Sequence, residues 1–199
     1  YLWCSGENTL KNNTMSGNER NFGVYGSTLS DYIQKIDTSN TVDGKPIYYW
    51  VDQKEGAIPG DAGYVGVVNS MNITVRDLTL TKNREGMLFA YTNDSRIENV
   101  TASKNEYGIY MHESNKNTLT NNTASDKKYG IYMYRSGGNT LKNNNASENE
   151  NGISLYDSDN NLLTNNIANS NKKYGISLWY SDKNTLTNNN ASENEHGIY

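Results

Sequence analysis

A glycine followed by isoleucine recurs at Gly108, Gly130, Gly152, Gly175 and Gly197, at intervals of 22, 22, 23 and 22 residues, and Gly86-Met87 keeps the same beat upstream. The text around each glycine repeats as well: Asn117-Thr-Leu119, Asn139-Thr-Leu141 and Asn184-Thr-Leu186 are each followed one residue later by an Asn-Asn pair. Self-similarity at a fixed period of about 20–50 residues is the mark of a solenoid or array, in which each repeat stacks on its neighbours.

With the repeat glycine as zero, one column of side chains reads Met87, Ile109, Ile131, Ile153, Ile176, Ile198 and another, two residues on, reads Phe89, Met111, Met133, Leu155, Leu178. The column between them is mixed: Leu88, Tyr110, Tyr132, Ser154, Ser177. Alternation of this kind describes a half-buried strand. Further apolar columns run through Val75, Ile97, Leu119, Leu141, Leu186 and through Leu80, Ala102, Ala124, Ala146, Ala191. No stretch sustains the i, i+3, i+4 spacing of a helix. Three short strands per repeat predict an all-β, three-faced parallel β-helix of about eight turns of about 22 residues. The right-handed coil follows from the roughly 98% preference of strand crossovers. Leucine-rich repeats share the period but not the Leu-x-x-Leu-x-Leu text. The columns Asn122, Asn144, Asn189 and Asn117, Asn139, Asn184, and the column Thr92, Ser114, Ser136, Ser158, Ser181, are expected to bond from one turn to the next at the bends and so satisfy buried amides.

The chain of 199 residues is only 34% apolar, with a net charge of -4. A globule of that composition would fall short of a core; a solenoid needs only about six small or medium side chains buried per turn. No 18-residue apolar run is present, so no membrane span is expected in this stretch. Tyr1-Leu-Trp-Cys-Ser5 aligns with Ser177-Leu-Trp-Tyr-Ser181, and the last turn stops at Tyr199. Residues 1–199 therefore read as one β-helix domain from a longer protein, with neighbouring domains of the same chain as partners. Cys4 has no second cysteine to pair with. Asn-x-Ser/Thr sequons at Asn12, Asn72, Asn93, Asn99, Asn121, Asn145 and Asn190 suit a secreted glycoprotein, although an Asn-rich repeat generates them by chance.

The pattern breaks before Val65. The preceding inward match is Val24, 41 residues earlier, so residues of about 27–63 read as one turn carrying an inserted excursion. Lys45-Pro-Ile-Tyr-Tyr-Trp-Val51 reads as a strand after an Asp43-Gly44 turn, and Gly56 to Gly63 as a loop. Insertions in repeat proteins build binding sites or cover the side of the coil.

The turns Asn117-Thr-Leu-Thr-Asn-Asn-Thr-Ala-Ser125 and Tyr107-Gly-Ile-Tyr110 resemble the parallel β-helix repeats of NosD-type proteins, part of the wider class of carbohydrate-binding and sugar-hydrolysis domains. The insert Ile36 to Trp50 resembles one in archaeal cell-surface (S-layer) members. The resemblance spans essentially the whole chain. It implies an extracellular or cell-surface location and polysaccharide contact, and, through NosD itself, copper-enzyme maturation.

Each of these readings requires particular side chains in particular places. Copper needs clustered His, Cys or Met. His112 and His196 lie four turns apart, roughly 19 Å at about 4.8 Å per turn, and Met87, Met111 and Met133 fall in inward columns. Lyases and hydrolases on this fold need carboxylates converging on adjacent turns; Glu113 and Asp157 are two turns apart with Arg135 between, which reads as a charge ladder. Glu148, Glu150, Glu193 and Glu195 allow at most weak Ca2+ binding. No catalytic residue, resident cofactor or metal site is assigned. The aromatic residues carry the best signal: 16 Tyr and 3 Trp, several on the outward side of the third strand. Tyr110, Tyr132, Tyr134, Tyr156 and Trp179 are the candidate carbohydrate-binding residues, because rings one turn apart can stack on successive sugars. The competing reading is cross-strand stacking for its own sake. No basic stripe accompanies the rings, which argues against nucleic acid. The expectation is a non-catalytic structural or adhesive segment with a glycan-contact face. The alternatives are a polysaccharide lyase or glycoside hydrolase whose active site lies outside this stretch, and a NosD-like maturation factor.

Overall fold

The computed structural model describes residues 1–126 and 128–199. The chain winds into a parallel β-solenoid of about nine turns at about 22 residues per turn. Its third face runs in register through Lys45–Val51, Tyr64–Val68, Glu85–Ala90, Tyr107–His112, Tyr129–Tyr134, Asn151–Tyr156, Tyr174–Trp179 and His196–Ile198. The first face stacks Gly56–Ala57 under Ile73–Arg76 and continues to Thr185–Thr187. The second is shortest: Thr79–Thr81, Thr101–Ser103 and Thr123–Ser125, continued by single bridges through Asn145, Ile167 and Asn190. Like residues lie over like. Ile131 sits between Ile109 and Ile153, and Leu119 between Ile97 and Leu141.

The lumen is filled by the inward columns foreseen from the repeat, from Val65 and Val67 to Ile176, wholly buried. Alanine on the second face leaves the repeat glycine room to approach it. A Cβ built on Gly108 would lie 2.7 Å from Ala124 Cβ and 2.5 Å from the Gly130 carbonyl oxygen, so the glycine is there for closeness of approach rather than for an unusual φ.

The polar columns close the bends. The amides of Thr92, Ser114, Ser136 and Ser158 each donate to the hydroxyl oxygen one turn on, at 2.9–3.0 Å. The amides of Asn117 and Asn139 donate to Asn139 Oδ1 and Asn161 Oδ1, and those of Asn122 and Asn144 to Asn144 Oδ1 and Asn166 Oδ1. Further rungs, not read from the sequence, join Asn83 to Asn105, and Asn149 to Asn171 and Asn194, at the bend before the third face. Each rung satisfies a buried N–H whose loss would cost about 1–3 kcal/mol.

Residues 1–42 wind into a small coil of their own. Leu2–Trp3 pairs with Val24–Tyr25, Thr9–Leu10 with Lys35–Ile36, and Thr14–Met15 with Thr41–Val42, all parallel. At Asp43 and Gly44, both left-handed (φ 47° and 79°), the chain reverses and Val42 pairs antiparallel with Lys45. The small coil therefore lies outside the main one. Its Phe22, Val24 and Tyr32 join Tyr49, Tyr64, Val68, Leu88 and Ala90 of the third face in a second core. This corrects the reading of the break. The inward places before Val65 and Val67 belong to Tyr48 and Trp50, whereas Val24 faces the outside of the sheet. Residues 27–63 are shared among the outer coil, the hairpin and the first rung, rather than forming one turn with an excursion. The sequence concealed this because both cores are served by the same Val-and-Ile alternation.

Candidate functional site

Outward residues of the third face fall in three columns, beginning at Glu85, Leu88 and Ala90. The first continues as Tyr107, Tyr129, Asn151, Tyr174, His196; the second as Tyr110, Tyr132, Ser154, Ser177; the third as His112, Tyr134, Tyr156, Trp179. The outer coil covers their beginning and leaves their end open.

Under the coil, Tyr110 is only 2% exposed. It is therefore core rather than sugar platform, which corrects its place among the candidate binding residues: its ring stacks on Tyr132 at 5.6 Å and on Tyr25 of the coil at 6.2 Å. His112 is buried beside Tyr32, Tyr91, Tyr110 and Tyr134, and burial pushes its imidazole down to about 4. Glu85 is buried completely, and burial raises its carboxyl to about 7 against the opposing pull of Arg84. It accepts from the Val24 amide at 3.2 Å and pairs with Arg84, whose guanidinium lies 4.7–5.1 Å from the Tyr1, Tyr25 and Tyr107 rings. This ion pair and its tyrosine cage fasten the coil to the sheet.

Beyond the coil, the rings at first do what strand aromatics do. Tyr107 stacks on Tyr129 at 5.2 Å, and Tyr134 on Tyr156 at 5.7 Å. Then the columns break. Tyr132 is followed by Ser154 and Ser177, whose hydroxyls bond to each other at 3.0 Å, and Tyr129 is followed by Asn151. These small residues open a hollow of about 330 Å³, walled by Tyr129, Tyr132, Tyr156, Tyr174 and Trp179, within the roughly 300–1,000 Å³ range of small-ligand sites. Tyr132 and Tyr129 carry no ring on the side facing it. Tyr156 and Trp179, each 37% exposed, flank it. Glu150 and Lys173 close one edge, paired at 2.7 Å, so that the lysine holds the carboxyl below its usual range. Burial raises the Tyr129 and Tyr132 phenols, which stay neutral donors.

Three of the sequence candidates, Tyr132, Tyr156 and Trp179, thus meet at the hollow. Tyr134 stands beside it, stacked on Tyr156 with the Arg135 guanidinium 5.0 Å from its ring. Tyr129, Asn151, Ser154 and Tyr174 were not among the candidates. The signal for Ser154 was the mixed column, where a serine replaces a tyrosine; that for Tyr129, Asn151 and Tyr174 was the column just before the glycine, where an asparagine replaces a tyrosine at 151.

The charged groups form ladders. Arg135 bridges Asp157 at 3.1 Å and Glu113 at 3.7 Å. Along the flank of the tyrosine columns, successive turns place Arg84, Glu106, Lys128, Glu150, Lys173 and Glu195 one above another, alternating in sign. Glu193 accepts from the Ser170 hydroxyl. Among the described residues no three His, Cys, Asp or Glu side chains converge as a metal site would require. Met87, Met111 and Met133 are buried in the lumen, and no helix is long and apolar enough to cross a membrane.

Residues 63–199 match the family described as right handed beta helix region. The chain belongs to that family. Its membership settles the right-handed coil expected from crossover geometry. This right-handed β-helix is similar in structure to two mutant forms of the periplasmic alginate epimerase AlgG. The first aligns at TM-score 0.60 and 17% identity over 87% of this chain and 49% of that one. The second aligns at TM-score 0.51 and 16% identity, over 84% and 57%. The β-helix thus spans about half the length of those proteins, and at such identity the likeness is one of fold. No curated protein matches the chain in sequence.

Proposed function

We propose that this β-helix is a non-catalytic segment of an extracellular or cell-surface protein, one of the NosD-type archaeal members, that holds a polysaccharide chain along the open half of its third face. The observation that carries the reading is the hollow at Ser154 and Ser177. A continuous tyrosine stack would offer a sugar only ring edges; the serine break leaves ring faces for its C–H surfaces and neutral hydroxyls and amides for its oxygens. Similarity in fold to periplasmic alginate epimerases supports polysaccharide contact and a location outside the cytoplasm.

The second reading, a polysaccharide-modifying enzyme, is favoured by the same likeness in fold and requires reacting groups outside this stretch. A glycan array with a reducing-sugar assay separates the two. Binding without product by the full-length protein supports the contact role, and turnover by the full-length protein supports the enzyme. For the best array binder, Tyr156→Ala with Trp179→Ala is expected to weaken binding at least tenfold with far-UV dichroism unchanged. Unaltered affinity would refute the hollow.

A further inference from the structure

A groove follows the flank of the tyrosine columns from the outer coil to the serine hollow. It begins in a cavity of about 500 Å³ where the coil meets the third face, continues through a recess of about 520 Å³, and ends at the hollow. Cavity and recess share Arg20, Glu106 and Lys128 as walls, and the recess shares Glu150 with the hollow. From Tyr107 to Trp179 the groove climbs three rungs, about 14 Å at about 4.8 Å per rung.

Its charges cancel. Arg20 holds Glu106 at 3.0 Å, Arg84 pairs with Glu85, and Lys173 pairs with Glu150 at 2.7 Å. The ladder sets Lys128 between Glu106 and Glu150, and Asp126 and Glu148 line the recess together with Lys172. Among the described residues each cation of the groove therefore has a carboxylate near it, and a charged sugar meets no net field to draw it in. Carboxylates only accept hydrogen bonds, and ammonium and guanidinium groups only donate them. A sugar hydroxyl does both, so a row that alternates the two at one-rung spacing suits a chain of neutral sugars. Both ends of the groove are aromatic. At the hollow stand Tyr156 and Trp179. At the coil Trp3, 62% exposed, leans on Tyr25 at 5.4 Å and meets Tyr1 edge-on at 5.8 Å. Trp3 belongs to neither core, so its ring lines the cavity without a packing task.

Resting on the reading of the molecule as a polysaccharide binder, we infer that the groove takes a neutral oligosaccharide lying across the rungs, one end stacked at Tyr156 and Trp179 and the other on Trp3, its hydroxyls bonded along the charge ladder between. The outer coil is then the far half of a two-ended site, and Trp3 contributes only to a sugar long enough to reach it from the hollow.

The test is titration calorimetry of the full-length protein with cellobiose, cellohexaose, mannobiose, mannohexaose and hexagalacturonate. A neutral hexamer should bind at least tenfold more tightly than its own disaccharide and than hexagalacturonate. Trp3→Ala should weaken that hexamer at least tenfold while leaving the disaccharide and the melting temperature as in wild type, whereas Trp179→Ala should weaken hexamer and disaccharide alike. A hexamer bound equally well by Trp3→Ala, or a disaccharide bound as tightly as the hexamer, overturns the inference and leaves the hollow standing. Hexagalacturonate bound as tightly as the neutral hexamers, or in their place, overturns it and leaves the polysaccharide reading intact. Failure of every one of these sugars to bind overturns it as well, and, where the glycan array also shows no binder, overturns the polysaccharide reading with it.

Discussion

The covered and open halves of the third face carry the same repeat, and their fates differ. Tyr110 and Tyr132 occupy one column a single turn apart and stack on each other, yet Tyr110 is core while Tyr132 looks onto a hollow. Nothing in either residue decides this. What decides it is that residues 1–42 fold back over the first four rungs and that Ser154 follows Tyr132. In a solenoid the repeat sets the scaffold, and departures from it set the site.

The widest gap between the halves should be in stability. Tyr110→Ala removes a buried ring from the second core and is expected to cost about 3–5 kcal/mol, whereas Tyr156→Ala on the open half should cost under about 1 kcal/mol. Urea melts of both variants measure the difference, and similar losses would mean the coil does not cover Tyr110 in solution.

The next effect is one of pH, because the seam buries two groups with opposite slopes. Glu85, raised to about 7 from 4.5, keeps in the native state a proton that the unfolded chain has released, so its contribution falls as pH climbs through that window. His112, lowered to about 4 from 6.5, loses in the native state a proton the unfolded chain retains, so its contribution falls as pH drops through 6.5 to 4. The two largely offset each other. Glu85→Gln should leave a stability that rises between pH 4 and 6.5 by on the order of 2–3 kcal/mol, and His112→Phe one that declines as pH rises from 4.5 to 7. Melting temperatures across the range read the slopes; parallel curves for the two variants would sink the assignment.

The smallest expected change in stability is the most specific for the site. Ser154→Tyr continues the column of Tyr110 and Tyr132 across the hollow. It should shift stability by less than about 1 kcal/mol, since cross-strand aromatic pairs contribute roughly 0.2–1 kcal/mol, while abolishing oligosaccharide binding at the hollow. Binding that survives the fill places the sugar elsewhere.

Much of the scaffold was legible because the period acts on every turn at once: Leu119, Ile131 and the Ser114–Ser136–Ser158 ladder each repeat a position several times, so one misreading is outvoted. The outer coil was not legible, because it is met once. Val24 sits in a local context that mimics an inward residue, and only contacts distant in sequence, such as its amide on Glu85, show which core it serves. The asparagine rungs at Asn83, Asn105, Asn149 and Asn194 also recur with the period, but an asparagine just before the glycine has the same composition as an ordinary solvent-facing turn, and only its buried bonds tell the two apart. The aromatic face was seen and its break was not, since a serine in a tyrosine column looks like loss of signal until the space it leaves is measured.

The alternating charges on the flank bear on how such an array can lengthen or shorten. Excising a single repeat would bring Glu106 over Glu150, or Lys128 over Lys173, whereas removing two restores opposites. Each exposed pair contributes at most about 1 kcal/mol, so the bias is mild, but it acts at every junction, and it favours gain and loss of coils by twos.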